Sequence, residues 1–507
     1  MFGNSFNLSS LTTSGQWTLL WKNIIDILKT PTTKIRMQCL QSLRVLSRAD
    51  RTYLNETIND DQFDCLLECA CIGTSGKSYS TEIQTEALKI LCNLVFQSAK
   101  CQELCLKNSA VEGILKRLRT YKDHHVEFDV KFFDMKLLFL ITALTPNVRS
   151  KVRDDYHGLV YLVETLDLMM KNESSKIFDQ QQINLINEIL KVLFNITVTS
   201  PTTVETEEDD EQHLHRLSIV LHDLLLFEAR AADATEEYHS NTINLLTNIP
   251  NACFTELVPQ VTDGSVSETF ENVNIHSINV FLRFLELKLN KIFGPMASKD
   301  YEQLPPILSV MIKCIRSASV IRRYVRAQVL PPLSDVKKRP EEGTTVRNHL
   351  CKLLTYPSSQ ISDLVAELLF VLCKENVGRM IKYTGYGNAA GLFAKRGLLG
   401  GRNSDNQQQY SSDSEDSDTE EYKELQHGIN PVIGCYEPPK KSPLEGMTDE
   451  QKEYEAERLV NLIDQLHRQG IVKPCKIGED GKPIPVEHVL ELQQEIPEQQ
   501  RDHKRKT

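Results

Sequence analysis

The chain has 507 residues, of which 40% are hydrophobic and 25% are charged, a balance that supplies enough apolar material for a globular core. The formal net charge of −11 argues against nucleic-acid binding, because contact with phosphates needs a basic face. The longest strongly apolar run, Leu137 to Leu144, is far shorter than the roughly 20 residues that cross a bilayer, and the first residues lack a signal-peptide pattern, so we expect neither a transmembrane segment nor export.

An internal repeat organises the first part of the chain. Three copies align closely and three are looser; in order of closeness they are Glu86–Val95, Glu188–Thr197, Asn241–Pro250, Gln41–Arg48, Met135–Ile141 and Glu367–Cys373. One equivalent position, here called the register position, lies in each of the first five copies along the chain. Its occupants are 45 to 55 residues apart, and they are Arg48, Asn93, Leu140, Asn195 and Asn248.

This period predicts a superhelical solenoid of two- or three-helix units, of the armadillo or HEAT type, over residues 1–399. Within each copy the apolar residues recur at i, i+3, i+4 and i+7, as one buried helix face requires. Prolines such as Pro31, Pro146 and Pro201 fall between the copies, where helices should end. The sequence has no long runs of alternating β-branched residues, so the predicted fold class is all-α with essentially no sheet.

The pattern changes at the end of the solenoid. Residues 400–447 are acidic and serine-rich at first and proline-bearing later, and they predict a disordered linker. An amphipathic helix is expected over 448–470, because Thr448 and Gln451 form a capping-box pattern ahead of an apolar stripe, which consists of Leu459, Leu462, Ile463 and Leu466. Residues 471–507 are expected to be weakly structured.

No pattern in the sequence indicates bond chemistry, a cofactor or a metal site. The thirteen cysteines include no Cys-x-x-Cys pair and lie mostly in apolar stretches, so a core role in a reducing compartment is favoured over zinc binding. Gly73–Ser78 looks like a phosphate-binding loop but lacks its first glycine and a preceding strand. Gly385–Ala390 fits a loose dinucleotide pattern without the βαβ unit that such a site needs, so a turn between helices is favoured.

The asparagines at the register position form a candidate binding surface. A polar residue on an apolar inner helix costs free energy unless it finds a partner, and Asn93, Asn195 and Asn248 recur in register. Either they line a groove, where an amide ladder hydrogen-bonds a bound peptide, or they serve internal structure. Arg44 and Arg48, one helical turn apart, would add a cationic end to the same groove.

A second basic feature lies later in the chain, and the acidic tail is its natural complement. Its residues are Lys313, Arg316, Arg322, Arg323 and Arg326. Ser412 and Ser417 each have a glutamate three residues later, which is the environment that acidophilic kinases favour. Phosphate there would pair well with arginines, whereas a solvated tail and a solvated helix face are the plainer alternative.

Several ordered strings match one known family and span nearly the whole chain, except for a longer loop near residues 199–212 and the final 35 residues. The strings are Leu43–Arg48, Leu91–Val95, Phe132–Asp134, Leu137–Leu140, Ile189–Thr197, Ala327–Leu333, Phe370–Cys373, Ile381–Gly391, Asp418–Tyr422, Asn430–Val432, Glu445–Thr448 and Glu450–Lys452. Together they resemble the synembryn family, whose members are chaperones and guanine-nucleotide exchange factors for the α subunits of heterotrimeric G proteins (Gα).

The resemblance implies a solenoid that binds the C-terminal helix of Gα in a concave groove, promotes GDP release and stabilises nucleotide-free Gα until GTP binds. It implies that Arg44, Arg48 and Asn93 contact that helix. It also implies a second contact with Gα through the apolar stripe of the 448–470 helix, and phosphorylation at Ser414 and Thr419. Neither of these two has an acidic residue three positions later.

The partners implied are Gα, with GDP or nucleotide-free, and an acidophilic kinase that acts on the tail; nucleic acid is not among them. We expect a cytoplasmic monomer that is recruited to the cell cortex or plasma membrane through Gα and that has no enzymatic activity of its own. The alternative is an armadillo-type scaffold or cargo-binding protein without exchange activity, because the fold alone does not decide function.

Overall fold

The computed structural model describes residues 16–30, 35–48, 51–73, 76–122, 126–198, 208–261, 268–294, 301–399, 419–438, 444, 446–478 and 482–486. The chain divides into two compact units, Met1–Val280 and Phe281–Thr507. Helices dominate the described part of both units, which confirms the predicted all-α, helical-repeat fold class. None of the helices in these ranges is long and apolar enough to cross a membrane.

The first unit is a succession of helices joined by short connections. Their bounds are α1 (Gln16–Leu28), α2 (Arg36–Leu46), α3 (Arg51–Thr57), α4 (Asp60–Cys69), α5 (Thr81–Gln97), α6 (Ala99–Lys107), α7 (Ala110–Leu118), α8 (Phe128–Leu144), α9 (Gly158–Lys171), α10 (Gln180–Thr197), α11 (Glu208–Leu225) and α12 (Ala232–Leu246). One turn of 3-10 helix lies at Pro146–Val148 and one turn of π-helix at Lys151–Asp155, and a seven-residue 3-10 helix spans Asn251–Leu257. The next helix, α13 (His276–Phe293), contains the boundary between the units.

Among the described residues of the first unit, α2, α5, α8, α10 and α12 form a stack, here called the inner stack, in which each helix packs on the next. The sequence of α5 shows why, because Leu88, Leu91 and Val95 are buried at a spacing of three and four residues, with Ala87 and Leu94 buried beside them. The first five copies of the repeat lie on these helices. The register residues therefore fall in the last turn of these helices or just beyond it.

Strands within the described ranges are only two or three residues long, which agrees with the prediction of essentially no sheet. They are β1 (Ile177–Phe178), β2 (Glu228–Ala229), β3 (Thr269–Phe270), β4 (Val273–Asn274), β5 (Ile429–Asn430), β6 (Cys435–Tyr436), β7 (Cys475–Ile477) and β8 (Pro483–Pro485). β1 and β2 pair in parallel, with Ile177 opposite Glu228, and the other pairs are antiparallel hairpins between consecutive strands.

The second unit continues the helical pattern. Its helices are α14 (Leu304–Ser317), α15 (Ser319–Val329), α16 (Val346–Leu354), α17 (Ser359–Leu372), α18 (Val377–Thr384), α19 (Tyr386–Arg396), α20 (Glu420–Leu425) and α21 (Asp449–Arg468), with single turns at Tyr301–Gln303 and Gln426–Gly428. α17 is its central element and packs against both α14 and α16. Leu368, Leu369 and Phe370 of α17 are almost completely buried.

Residues 419–438, here called the strap, are folded against the second unit. At one end, Thr419 Oγ1 donates a hydrogen bond to Leu333 O at 2.5 Å. At the other, Tyr436 N–H donates to Val336 O at 2.7 Å. This corrects the prediction of a disordered linker over 400–447 for the part that the strap occupies; residues 400–418, 439–443 and 445 lie outside the described ranges.

The strap also caps α19. The N–H groups of Tyr386 and Gly387 donate to Pro431 O and Val432 O, each at 2.8 Å. Amides in the first turn of a helix have no partner within that helix, so carbonyl groups of the strap satisfy them. Main-chain bonds hold much of the strap, and a composition that favours disorder does not reveal bonds of this kind.

The predicted amphipathic helix is present as α21. Its capping box is formed, because Thr448 Oγ1 accepts from Gln451 N–H at 3.3 Å and Gln451 Oε1 accepts from Thr448 N–H at 3.0 Å. No residue of α21 is buried. The β7–β8 hairpin follows it, and residues 487–507 lie outside the described ranges.

Candidate partner-binding surface

The register asparagines link neighbouring helices of the inner stack. Asn93 Nδ2 donates to Ser47 Oγ at 2.9 Å, which joins α5 to the end of α2. Asn195 Nδ2 donates to Thr142 Oγ1 at 3.0 Å, which joins α10 to α8. Ser47 and Thr142 in turn donate to carbonyl groups one turn earlier in their own helices, at 2.8 and 2.9 Å. The same arrangement therefore occurs at two levels of the stack.

A third level repeats it. Asn248 Nδ2 donates to Thr197 Oγ1 at 3.1 Å and to Phe194 O at 3.0 Å, which joins the end of α12 to α10. Of the two interpretations of these asparagines, internal structure therefore accounts for every amide nitrogen. Each Oδ1 accepts no hydrogen bond from a described residue. Asn195 is buried, whereas Asn93 and Asn248 are half-buried.

Arg44 lies at the start of the same surface, in a short chain of charges. Its Nε is 3.1 Å from Glu86 Oε2, and Glu86 Oε1 accepts from Lys89 Nζ at 2.9 Å. The contact between Arg44 and Glu86 is an ion pair rather than an aligned hydrogen bond, since neither of its two atoms has a hydrogen-bond partner among the described residues. Arg48, one turn later, is exposed.

Three lysines that the sequence analysis missed lie on aromatic rings of α8. The Nζ atoms are 5.3, 5.6 and 5.7 Å from ring centroids in the pairs Lys89–Phe133, Lys136–Phe132 and Lys191–Phe139. Each lysine, like Arg44, stands four residues before a register position. That spacing is the signal in the sequence that could have found them. We call these six residues the lysine–phenylalanine patch.

An acidic cavity of about 670 Å³ opens near the N-terminal ends of α5, α8 and α10. Its lining includes four carboxylates and one lysine, which are Glu82, Glu86, Glu127, Asp129 and Lys89. The surface of the inner stack therefore changes along the helices. It is acidic where α5 and α8 begin, and it is cationic, aromatic and amide-bearing toward their C-terminal ends.

The predicted basic patch of the second unit lies largely inside it. Arg322 and Arg326 of α15 are only 9% and 6% exposed, and Arg323 is half-buried. Arg326 Cζ lies 6.0 Å from the ring centroid of Tyr383. Arg316 forms ion pairs with Glu367 and Glu375. These arginines are thus part of the packing of the unit, not a freely solvated helix face.

The apolar stripe predicted as a second contact is partly open to solvent. Leu459 and Leu462 are 57% and 51% exposed, and Ile463 and Leu466 are half-buried.

Thr419, one of the two predicted phosphorylation sites, is the N-cap of α20 and accepts from Tyr422 N–H at 3.2 Å. Ser414, the other, lies outside the described ranges.

No group of His, Cys, Asp and Glu side chains suited to a metal ion occurs within the described ranges. Ten of the cysteines are buried, Cys65 and Cys71 are half-buried, and Cys475 is exposed.

Gly73 and Gly76 lie in the connection between α4 and α5, and residues 74 and 75 fall outside the described ranges. Gly385 lies between α18 and α19, where a Cβ would be 3.0 Å from Ile433 C of the strap.

Comparison with known proteins shows the family of this chain. The family model described as guanine nucleotide exchange factor synembryn matches residues 39–482. The chain belongs to this family. The sequence resemblance to synembryns is thereby confirmed.

Curated relatives agree with the synembryn assignment. The protein called Chaperone Ric-8 of Drosophila melanogaster is 43% identical, over 98% of this chain and 94% of its own length. Chaperone Ric-8A of Gallus gallus is 40% identical, over 90% of this chain and 85% of its own length. A solved structure described as concerning a phosphorylation switch between cadherin and beta-catenin has a TM-score of 0.51 at 13% identity, covering 79% of this chain and 67% of its own. That likeness concerns the fold alone.

Proposed function

We propose that this synembryn acts as an exchange factor and folding chaperone for Gα subunits. The observation that carries the proposal is the side of the inner stack on which arginines at α2, lysines of α5, α8 and α10, phenylalanine rings of α8 and the register asparagines lie together. Such a surface suits an amphipathic helix, since rings receive its apolar residues and cations receive its acidic ones. We assign the C-terminal helix of Gα to it, with Arg44, Arg48 and the register asparagines among its contacts.

Exchange follows from thermodynamic linkage. If the inner stack binds Gα more tightly without GDP than with it, then it must lower the affinity of Gα for GDP by the same factor. Withdrawal of the terminal helix from the GTPase core of Gα loosens the guanine-binding loops and exposes apolar surface of Gα. The synembryn covers that surface until GTP binds. No residue of this protein has to touch the nucleotide.

The tail supplies a second contact and a point of regulation. The exposed Leu459 and Leu462 of α21 give the GTPase core an apolar surface to pack against. Phosphorylation of Thr419 removes the hydrogen that its hydroxyl donates to Leu333 O and adds about two negative charges at the start of α20. An acidophilic kinase acts on the tail. The protein works as a cytoplasmic monomer that reaches the cell cortex through Gα.

The groove assignment is tested with Arg44→Glu combined with Arg48→Glu. We expect this variant to lose the ability to stimulate GDP release from a purified Gα, while circular dichroism shows that its helices remain. The charge-matched control is Lys107→Glu with Lys116→Glu, on α6 and α7, where both lysines are about 70% exposed. An unchanged release rate in the arginine variant refutes the assignment, and binding of Gα without any effect on release favours a scaffold.

The regulatory part is tested by phosphorylating the protein at Ser414 and Thr419. Phosphorylation should accelerate GDP release, and a variant with alanine at both positions should show no response to the kinase. Equal release rates before and after phosphorylation of the unaltered chain contradict this part and leave the groove assignment intact.

A further inference from the structure

We infer that the lysine–phenylalanine patch binds carboxylate groups on the helix that the inner stack binds. This inference rests on the proposed function and adds a specificity element to it. It concerns Lys89, Lys136 and Lys191, none of which belongs to the register position. The patch lies in the middle of the stack. Its rings and Lys136 belong to α8, and Lys89 and Lys191 come from the neighbouring helices α5 and α10.

The three ammonium groups converge on one helix. Lys89 reaches from α5 to Phe133 of α8, and Lys191 reaches from α10 to Phe139 of α8, at 5.3 and 5.7 Å from the ring centroids. Lys136 belongs to α8 itself. The two rings are six residues apart, which is about 9 Å along a helix axis. A ligand helix that lies on α8 therefore meets three cations within two of its own turns.

Each lysine keeps hydrogen-bond donors for a ligand. Glu86 and Glu188 each place one carboxylate oxygen on a lysine three residues later, at 2.9 and 3.0 Å. A lysine ammonium has three donors, so Lys89 and Lys191 retain further donors. Lys136 forms no ion pair with any described residue, and its contact with a phenylalanine ring leaves its charge unneutralised. The lysines paired with Glu86 and Glu188 are 29% and 32% exposed.

The surroundings of the cations decide what kind of acid they fit. Phe132, Phe133, Phe139 and Leu140 are half-buried, so the patch presents apolar surface between the ammonium groups. A free phosphate or a nucleic-acid backbone makes little use of such rings as neighbours, whereas an amphipathic helix buries its apolar side chains on them. We therefore assign to the patch an α-helix that carries two or more carboxylates, within two turns, beside its apolar face.

The test is a double-mutant cycle with synthetic peptides. One peptide has the sequence of the C-terminal helix of Gα, and in the other every Asp and Glu of that helix is changed to Asn or Gln. The protein variants are K89Q/K136Q/K191Q, the charge-retaining K89R/K136R/K191R and the control K107Q/K116Q/K171Q. The control removes three charges from α6, α7 and α9, where the lysines are 64% to 70% exposed.

We expect the wild type, the arginine variant and the control to prefer the acidic peptide by about tenfold at low ionic strength. The glutamine variant should bind both peptides equally, and the preference should shrink near 1 M salt, where the screening length is about 3 Å. If the wild type binds but the glutamine variant keeps the preference, the inference is wrong and the proposed function stands. If the wild type binds neither peptide, the groove assignment and this inference both fail.

Discussion

Asn195 Nδ2 lies 3.0 Å from Thr142 Oγ1, and this contact shows how a polar residue serves the interior of the inner stack. Thr142 is fully buried and donates to Leu138 O, so its hydroxyl both receives and gives a hydrogen bond. The recurrence of asparagine at the register position is thus accounted for by packing between neighbouring helices. Ligand binding can use only what these contacts leave over, which is the Oδ1 atom of each amide and the second N–H of Asn93.

Asn195→Ala should therefore destabilise the protein before it affects any partner. Loss of a buried hydrogen-bond donor costs about 1–2 kcal/mol, to be measured as the free energy of unfolding in urea. Asn244→Ala is the matched control, because Asn244 is half-buried on α12 and its side chain has no hydrogen bond to a described residue; its cost should be a few tenths of a kcal/mol. Weaker partner binding at unchanged stability would instead show that the amide serves the ligand.

Much of the fold was accessible from the sequence because repetition amplifies a weak signal. A single copy such as Glu86–Val95 predicts only a helix, whereas five copies in register predict a stack and place Asn93 and Asn195 in one row along its surface. The lysine–phenylalanine patch was equally repetitive, with Lys89 and Lys191 four residues before those asparagines. It was missed because lysine on a helix is ordinarily a solvated residue, and only the structure shows it resting on a ring.

The strap was not predictable on the same grounds. Its sequence is polar and charged around Thr419 and contains Pro431, and both features usually indicate disorder. What fixes it is the pairing of its carbonyl groups with the amides that begin α19. Main-chain bonds use the same atoms whatever the side chain is, so the sequence does not reveal them. The feature of the sequence closest to this contact is Gly385, where a Cβ would be 3.0 Å from Ile433 C of the strap.

Gly434→Ala should detach the strap. Gly434 has a φ of +69°, and an added Cβ would lie 2.8 Å from Pro340 Cγ and 3.0 Å from Gly385 Cα. Hydrogen exchange at the amides of Tyr386 and Gly387 should accelerate, because these donate to the strap. Gly446→Ala is the control, since its φ is +90° but no described atom lies within 4 Å of the added carbon, so it bears the conformational cost alone. Equal protection of these two amides from exchange in both variants would show that the contacts of the added Cβ with Pro340 and Gly385 do not detach the strap.

His239 should make the first unit sensitive to acid. Burial lowers the pKa of His239 to about 4, whereas an unfolded histidine titrates near 6.5. Between these values the unfolded chain binds the proton and the folded chain does not, so the free energy of unfolding falls as the pH falls from about 6.5 to about 4. Between pH 7 and pH 5 the loss is on the order of 1–2 kcal/mol.

The variant His239→Gln should flatten this dependence, because glutamine does not titrate. The measurement is urea unfolding at pH 7 and pH 5, with His467→Gln on α21 as the control at a side chain that is not buried. If His239→Gln and the control lose the same stability on acidification, the buried histidine is not the cause.

The ion pair of Arg117 and Asp134 should be the most sensitive point of the first unit. Asp134 is fully buried; its Oδ2 accepts from Arg117 Nε at 2.7 Å and from Tyr121 Oη at 3.0 Å. Burial raises the pKa of Asp134, and the neighbouring guanidinium opposes that rise. Arg117 also donates to Ala70 O at 2.7 Å, so the pair ties α7 and α8 to the end of α4.

Asp134→Leu should cost about 3–5 kcal/mol of unfolding free energy, because it leaves the charge of a mostly buried Arg117 uncompensated. Arg117→Met combined with Asp134→Leu should recover most of that loss, since two apolar side chains of similar volume need no partner. Urea unfolding of the two single variants and the double variant gives the coupling energy directly. A double variant no more stable than Asp134→Leu would mean that the bonds to Ala70 and Tyr121, rather than the charge pair, hold this junction together.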